Sequence, residues 1–449
     1  MTTRLSTTIA ATAALLAAVP AAAQLLPGTG RTVGGTVGGV IRAVDGVARP
    51  VLGAADGDVA ADAERDELVG GAFDRIASLS SSVAASSAAL LELRELRLNL
   101  LINAHHAELD RDDAGNPVRR DRLVMVDPDA ASLGLAARAG FRLLSDQRDP
   151  ELGLRLVTLA VPARMGPRKA LATLRRAAPG LEVDFDHIYE PAGGALSPTA
   201  AVLATGAAGL ATNARIAMID GGVASHPSLA RAAIEQKGFS GPASATGHGT
   251  AIASLLVGDQ GRFSGAARGA SLFVGDVYGG NPAAGSASTI VQALGWAASK
   301  RPRLITLSLV GPPNHAIKRA VTALRARGIM LVAAVGNDGP AAPPQYPASY
   351  DGVIAVTAVD ARGRALIEAG RARHLDFAAP GADLAAALPG TGYAKVRGTS
   401  FAAPLAAARL AATGSVARLS AEARPGKGKV GRGIVCGECR IDPRTVGAK

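Results

Sequence analysis

Cysteine is almost absent from the 449-residue chain, which limits the metal chemistry that the chain can support. The two cysteines, Cys436 and Cys439, both lie in "VCGECR". A structural zinc site needs four ligands, and the sequence has neither a second CxxC pair nor a histidine close to this one. We therefore expect a local disulfide or two free thiols at this place, and no zinc site.

Aromatic residues are also scarce, at 3% of the chain, and they do not alternate with basic residues. The net charge is +11, but the arginines are scattered, and neither a long basic run nor a nucleic-acid-binding motif occurs. We interpret the excess charge as a solvated basic surface and expect no nucleic-acid partner. Beyond the N-terminus no stretch approaches about twenty uninterrupted apolar residues, so we expect no membrane span.

The N-terminus has the three parts of a secretory signal. Arg4 supplies the positive start, residues 9–19 are apolar, and Ala21, Ala22 and Ala23 form a small-residue site before Gln24. This pattern predicts cleavage after Ala23 and export of the mature chain, either into the periplasm or out of the cell.

Two composition changes divide the rest of the chain. Residues 24–58 are rich in Gly, Ala and Pro and are interpreted as a flexible segment, whereas residues 59–118 have a helical pattern. Residues 119–190 follow the order β-α-β-β-α-β, which is the order of a ferredoxin-like α+β domain. The Gly- and Pro-containing linker 191–204 comes next.

From residue 205 to 418 short apolar runs alternate with helical runs. The predicted strands, such as "RIAMID", "RLITLSLVG" and "IMLVAAVGN", are continuously apolar, which favours burial on both faces. We therefore predict an α/β domain with a doubly wound parallel sheet flanked by helices. Residues 419–449 form a C-terminal tail with the CxxC pair and no chemistry that the sequence identifies.

Four polar residues lie where the predicted strands end or the helices begin. Asp220 ends "RIAMID", His248 opens the helix of "GHGTAIASLL", Asn337 follows "IMLVAAVG", and Ser400 opens the helix after "RGT". Ligands of such sheets bind beyond the carboxyl ends of the strands, so these side chains are expected to meet there.

An acid, a base, an amide and a hydroxyl are what a hydrolase with a serine nucleophile requires. A histidine can take the serine proton, and a carboxylate holds the imidazole in the correct tautomer. The Asn337 amide and the Ser400 backbone N–H would stabilise the oxyanion. Alone, Ser400 would be interpreted as a helix N-cap; with Asp220, His248 and Asn337 present, the nucleophile is favoured.

The chain resembles the subtilisin-like serine peptidases. The blocks "IDGGVASHP", "GHGTAIASLLVG", "LSLVG", "AAVGNDGP" and "RGTSFAAP" look like that family's signature blocks and follow its order. The resemblance implies a triad of Asp220, His248 and Ser400, with Asn337 as the oxyanion donor. It also implies that residues 119–190 are an inhibitory propeptide, which is an intramolecular partner besides the peptide or protein substrates. The further residues that it implies bind substrate are Ser308, Leu309, Val310, Ala333, Ala334, Val335 and Gly336.

The sequence departs from the family pattern at three positions. Gly221 stands where Ser or Thr is usual, Val310 where Gly is usual, and Arg397 where a small residue is common. We expect no cofactor; calcium dependence is open because no calcium loop is recognisable. His226 is expected at the surface, His187 in a structural role, and no metal role is expected for Asp376 and Asp383.

The sequence leaves two alternatives to a peptidase. One is a non-catalytic binding protein on a subtilisin-like scaffold, blocked by its own propeptide and supported only by the three departures. The other is an interaction or envelope-tethering protein that rests on residues 25–110, although this region could also be an accessory of a peptidase. Processing is predicted within the linker, and the oligomeric state cannot be read from the sequence.

Overall fold

A computed structural model describes residues 87–192, 195–198 and 213–447. The predicted signal sequence, the flexible segment, the first part of the helical region and most of the linker lie outside the described residues. No helix of the described part is long and apolar enough to cross a membrane.

The N-terminal part consists of one helix followed by a small α+β domain and two short strands. Its elements are α1 (Ser87–Ala104), β1 (Leu109–Arg111), β2 (Pro117–Val126), α2 (Ala130–Arg138), β3 (Arg142–Asp149), β4 (Leu154–Ala160), α3 (Pro167–Ala177), β5 (Val183–His187), β6 (Glu190–Pro191) and β7 (Ala195–Pro198). Helix α1 ends at Ala104, so the predicted helical region of 59–118 extends too far. A strand replaces it at Leu109 because β1 pairs with the start of β2, a partner that local pattern does not reveal.

Strands β2 to β5 and the two helices between them have the β-α-β-β-α-β order. The sheet is antiparallel throughout, with the spatial order β5-β2-β4-β3, as in a ferredoxin-like fold. Asp129 begins α2 by accepting a hydrogen bond from Ser132 N at 2.7 Å. The apolar faces of both helices and the sheet share one core, in which Leu123, Val157 and Leu174 are buried.

The second part is built on a large parallel sheet. Its elements are β8 (Arg215–Asp220), β9 (Ala233–Gly238), α4 (Gly247–Val257), β10 (Asp259–Gln260), β11 (Phe263–Ser264), β12 (Ser271–Asp276), α5 (Ala287–Ser299), β13 (Leu304–Leu307), β14 (Leu309–Val310), α6 (His315–Ala326), β15 (Met330–Ala334), β16 (Val353–Val359), β17 (Phe377–Pro380), β18 (Leu384–Ala387), β19 (Tyr393–Arg397), α7 (Thr399–Thr413) and α8 (Val416–Glu422). The 7-stranded sheet has the order β17-β16-β15-β13-β8-β12-β9, and every pair in it is parallel.

Helices cover both faces of this sheet. Along β8, Ile216 and Met218 face a core shared with α4 and α7, whereas Ala217 and Ile219 face a core shared with α5 and α6. Burial on both faces explains why the strands are continuously apolar. The prediction of a doubly wound parallel sheet flanked by helices is confirmed.

Two carboxylates of β5 attach the small domain to the large one. Asp186 accepts hydrogen bonds at 2.8 Å from the backbone N and the hydroxyl of Ser288, at the start of α5. Asp184 accepts from the backbone N of His315, at the start of α6, at 3.0 Å. Because helix N-termini carry partial positive charge, both contacts place an anion where it is favoured.

The segment after β5 lies across the large domain and pairs with two of its strands. On one side β6 pairs antiparallel with β14, and on the other side β7 pairs antiparallel with β19. Residues 189–192 are called the strap below.

The C-terminal tail folds onto the large domain beside the edge strand β17. Ala378 of β17 forms a parallel bridge with Ile434, and Ala385 N donates to Ile441 O at 2.9 Å. Cys436 and Cys439 form a disulfide, which is the first of the two states expected from the sequence.

Candidate active site

Asp220 and His248 meet at the carboxyl end of the parallel sheet. Asp220 is the last residue of β8 and is fully buried, and its Oδ1 lies 2.8 Å from Nδ1 of His248. The N–H of Gly221 donates to the same oxygen at 2.7 Å. A proton on Nδ1 directed at the carboxylate makes Nε2 the nitrogen that can accept a proton.

The position of His248 follows from the way α4 begins. Thr246 is the N-cap, and its side-chain oxygen accepts a hydrogen bond from Gly249 N at 2.9 Å. Thr246 N also donates to Gly222 O at 2.9 Å, which ties the start of α4 to the loop after Asp220. A Cβ at Gly221 would lie 2.4 Å from the Thr246 side-chain oxygen, so the glycine at this position leaves room for the cap.

Ser400 is the second residue of α7 and is fully buried. Gly398 precedes the helix with φ of 146°, a conformation that favours glycine. The ring of His248 lies 5.5 Å from the ring of Phe401, the neighbour of Ser400. Within the described residues the Ser400 hydroxyl has no hydrogen-bond partner, so the hydroxyl is not held in another contact.

Asn337 is oriented by the same helix start. Its side-chain oxygen accepts a hydrogen bond from Thr399 N at 2.9 Å, which turns the amide nitrogen towards the strap. That nitrogen donates to the carbonyl of Ala192. Asn337 thus holds a peptide carbonyl beside the N-terminus of α7, the position in which a developing oxyanion would be stabilised.

The strap contacts the edge residues that were predicted to bind substrate. Ala192 N donates to Ser308 O at 2.7 Å, and Leu309 and Val310 pair with Pro191 and Glu190. Tyr189 is fully buried and donates its hydroxyl proton to Pro312 O. The strap thus adds a strand to β14, and its Tyr189 side chain is buried in the large domain.

The other residues that the resemblance implies bind substrate lie at the end of β15 and just after it. The side chains of Ala333 and Ala334 are buried in the two cores on opposite faces of the sheet, and Val335 is buried as well. Gly336, with φ of 85°, leads directly to Asn337. A Cβ at Gly336 would lie 3.3 Å from Val310 Cγ1, so the valine narrows the groove at this point.

Arg397, whose bulk beside Ser400 the sequence does not explain, is paired with a buried carboxylate. Its Nε lies 2.6 Å from Oε1 of Glu368, whose side chain is 2% exposed, while the Arg397 side chain is 30% exposed. Glu368 O also accepts from Gly339 N at 2.9 Å. The pair joins the strand before the nucleophile to the loop beside Asn337.

Arg397→Gln is expected to destabilise the protein, because it leaves Glu368 as a buried carboxylate without its counter-ion. We expect a loss of about 3 kcal/mol in the free energy of unfolding. The double variant with Glu368→Gln should recover most of that loss, since it removes the buried charge. Urea unfolding of both variants measures the difference, and equal stability of Arg397→Gln and the parent would contradict the assignment.

Another buried carboxylate, Asp276, lies beside Asp220 and was not predicted from the sequence. It ends β12 opposite Asp220 in register, and it accepts hydrogen bonds from Ser244 N at 2.8 Å and from Tyr278 N and Gly279 N at 2.9 Å. The pKa of Asp276 lies above its usual value. Burial and the charge of Asp220 raise it by more than these N–H groups lower it. Asp220 was identified as an acid at the end of an apolar strand. Asp276 ends the apolar strand "SLFVGD" in the same way, so the same signal could have identified it.

Two further histidines, His226 and His187, have structural contacts. His226 is buried, so the prediction of a surface position is wrong: Nδ1 contacts the Ser228 hydroxyl and Nε2 lies 3.1 Å from Gly392 O. His187 lies between the two domains, 3.3 Å from Asp112 and 3.1 Å from Asn314. Among the described residues no group of three or more His, Cys, Asp or Glu could hold a metal ion.

Comparisons with known proteins agree with this geometry. The chain is 33% identical over 195 residues to Subtilisin Savinase of Lederbergia lenta, and the match covers 42% of this chain and 72% of that relative. The chain belongs to the subtilase family of serine peptidases. The model of the subtilase family matches residues 211–423. The small domain and α1 precede this match.

Two further relatives and one solved structure are also similar to this chain. The major intracellular serine protease of Bacillus subtilis is 34% identical over 216 residues, covering 44% of this chain and 67% of the relative. An alkaline protease of Alkalihalobacillus alcalophilus is 33% identical over 195 residues, but the chain covers only 51% of it. Fervidolysin of Fervidobacterium pennivorans, a keratinolytic enzyme related to subtilisin, shares the fold with a TM-score of 0.60 at 18% identity, over 74% of this chain and 62% of its own.

Proposed function

We propose that this subtilase is a serine endopeptidase that is made as a self-inhibited precursor. Ser400 is the nucleophile, His248 the general base and acid, Asp220 the carboxylate that orients His248, and Asn337 the oxyanion donor. The observation that carries the proposal is the strap: the Ala192 carbonyl is held by Asn337 while its N–H is bound by Ser308 O. A peptide is thus placed as a substrate would be.

The proposed reaction proceeds through an acyl-enzyme. Ser400 Oγ attacks the carbonyl carbon as His248 Nε2 takes its proton, and the carbonyl oxygen becomes an oxyanion held by Asn337 and the Ser400 N–H. His248 then gives the proton to the leaving amine, and the C–N bond breaks. A water molecule gives a proton to His248 and attacks the ester carbon. The bond from that carbon to Ser400 Oγ then breaks, His248 returns the proton to Oγ, and the acid is released. Asp220 stabilises the imidazolium in both halves of the reaction.

The first substrate is the chain itself. The register of the strap supports a cut at the peptide bond after Ala192, within the linker in which processing was predicted. The new carboxyl end would stay in the groove, because Tyr189 is anchored and Asp184 and Asp186 hold the small domain on α5 and α6. Residues up to Ala192 would therefore inhibit the enzyme after the cut until they are removed.

Export of the chain is part of the proposal and rests on the N-terminal sequence alone. The signal pattern of residues 1–23 favours a mature chain that is secreted or periplasmic. The disulfide between Cys436 and Cys439 agrees with an oxidising compartment.

Labelling with an organophosphonate probe tests the proposed nucleophile. The processed chain should take up one equivalent of probe, and peptide mapping should find it on Ser400. A folded, processed chain that stays unlabelled would favour the alternative of a non-catalytic binding protein.

A further inference from the structure

Two carboxylates beside the groove share a single guanidinium. Arg97 donates to both carboxylate oxygens of Glu190 at 3.0 Å each, and its Nη2 also donates to Asp338 Oδ1 at 3.0 Å. The side chains of Glu190 and Asp338 are 10% and 7% exposed. Both carboxylates lie within hydrogen-bond distance of the same Arg97 nitrogen, so the two negative charges are close together. The positive charge of Arg97 between them offsets their repulsion.

The cation comes from a helix that lies outside the small domain. Arg97 lies on α1, which precedes the small domain, and Arg94 of the same helix lies 3.3 Å from Asp338 Oδ2. Leu90 of α1 packs on Gly339, the residue after Asp338, since a Cβ at Gly339 would lie 2.7 Å from Leu90 Cδ1. Although burial opposes it, the charges of Asp338 and Glu190 raise the pKa of Arg97, which stays charged.

Asp338 belongs to the large domain and directly follows Asn337, whereas Arg94 and Arg97 precede the bond after Ala192. Cleavage of that bond and loss of residues up to Ala192 would leave Asp338 without these two cations. Glu190 is the third residue before the cut, so a substrate places its own third side chain where Glu190 lies in the precursor. A glutamate there would meet the Asp338 carboxylate without a counter-ion.

We propose that Asp338 determines substrate specificity at the third residue before the cut bond, so that the mature enzyme favours basic side chains there and disfavours acidic ones. The acidic strap binds only because α1 supplies the missing cation. This proposal rests on the proposed peptidase function and names the class of peptide that it prefers. Helix α1 is then the part of the inhibitor that distinguishes the strap from a substrate.

A set of three peptides tests the proposal on the enzyme that the full chain yields by processing. Each has the sequence Tyr-X-Pro-Ala-Gly-Gly-Ala-Leu, taken from residues 189–196, with X as Glu, Gln or Lys. We expect kcat/KM to rise in that order, with the Lys peptide roughly 30-fold above the Glu peptide. Equal values for the three peptides would overturn the proposal and leave the peptidase function standing, whereas no hydrolysis of the Gln peptide would overturn both.

The variant Asp338→Asn assigns the effect to its side chain. We expect the ratio between the Lys and Glu peptides to fall below about 3-fold, with the Gln peptide least affected, because only the charged peptides sense the lost carboxylate. Asp259→Asn is the control, since Asp259 pairs with Arg231 on the exposed surface, and its ratio should equal that of the parent. A ratio that persists in Asp338→Asn would overturn the assignment, and the ratio in the parent enzyme decides the proposal if this variant does not fold.

Discussion

Ser400→Ala should lower the peptidase activity of the preparation by about 10⁶-fold, to background. The substitution removes the nucleophile, and it also prevents the first cut, so the groove stays filled by the strap. Ser400 is buried with no other hydrogen-bond partner among the described residues, so the smaller side chain should fit without loss of the fold. Hydrolysis of the Gln peptide described above, followed by fluorescence, measures the effect.

Ser420→Ala is the matched control for this result, because Ser420 is a serine of α8 whose hydroxyl accepts a hydrogen bond from Arg432 at the surface. It should process and hydrolyse the peptide as the parent does. Activity of Ser400→Ala within 100-fold of the parent would contradict the assignment of the nucleophile.

Asn337→Ala should lower kcat by about 10²–10³-fold and change KM by less than about 3-fold. The Asn337 amide nitrogen donates to the carbonyl oxygen of Ala192, whose following peptide bond is the proposed site of the cut. One such donor stabilises the transition state by about 2.7–4 kcal/mol. The interaction strengthens as the oxygen becomes an anion, so its loss appears in kcat. Steady-state kinetics on the processed variant separates the two constants.

A rise in KM with an unchanged kcat would contradict this role for Asn337, because it would indicate a residue that binds substrate and transition state equally. Asn314→Ala serves as the control: its side chain caps α6 and contacts Phe185 O, and its amide is not the one that donates to the carbonyl of Ala192, so kcat should be close to that of the parent. Thermal unfolding of both variants shows whether either substitution disturbs the fold.

The large domain was predictable because its signals are local. Strands buried on both faces are continuously apolar, as in "RIAMID", and each proposed catalytic residue lies beside a glycine at a strand end or helix start. These patterns identify Asp220, His248, Asn337 and Ser400 as candidates without any knowledge of contacts.

The contacts between distant parts of the chain could not be predicted in the same way. Arg97 and Asp338 are 241 positions apart, and nothing in "LRELRLNLL" distinguishes Arg97 from a surface arginine. His226 was predicted at the surface because it lies in the loop after Asp220, yet it is buried and contacts the carbonyl of Gly392, 166 positions away. The register of the strap, from which the cut after Ala192 is proposed, depends on β14 in the same way.

The mass of the mature N-terminus tests the central claim most directly, that the chain cuts its own strap at Ser400. Wild type and Ser400→Ala are expressed and exported side by side, and intact mass spectrometry determines where each begins. We expect wild type to begin at Gly193 and Ser400→Ala to remain joined to its small domain, beginning at Gln24. Cleavage after Ala192 in both proteins would contradict the account, because another enzyme would then have made the cut.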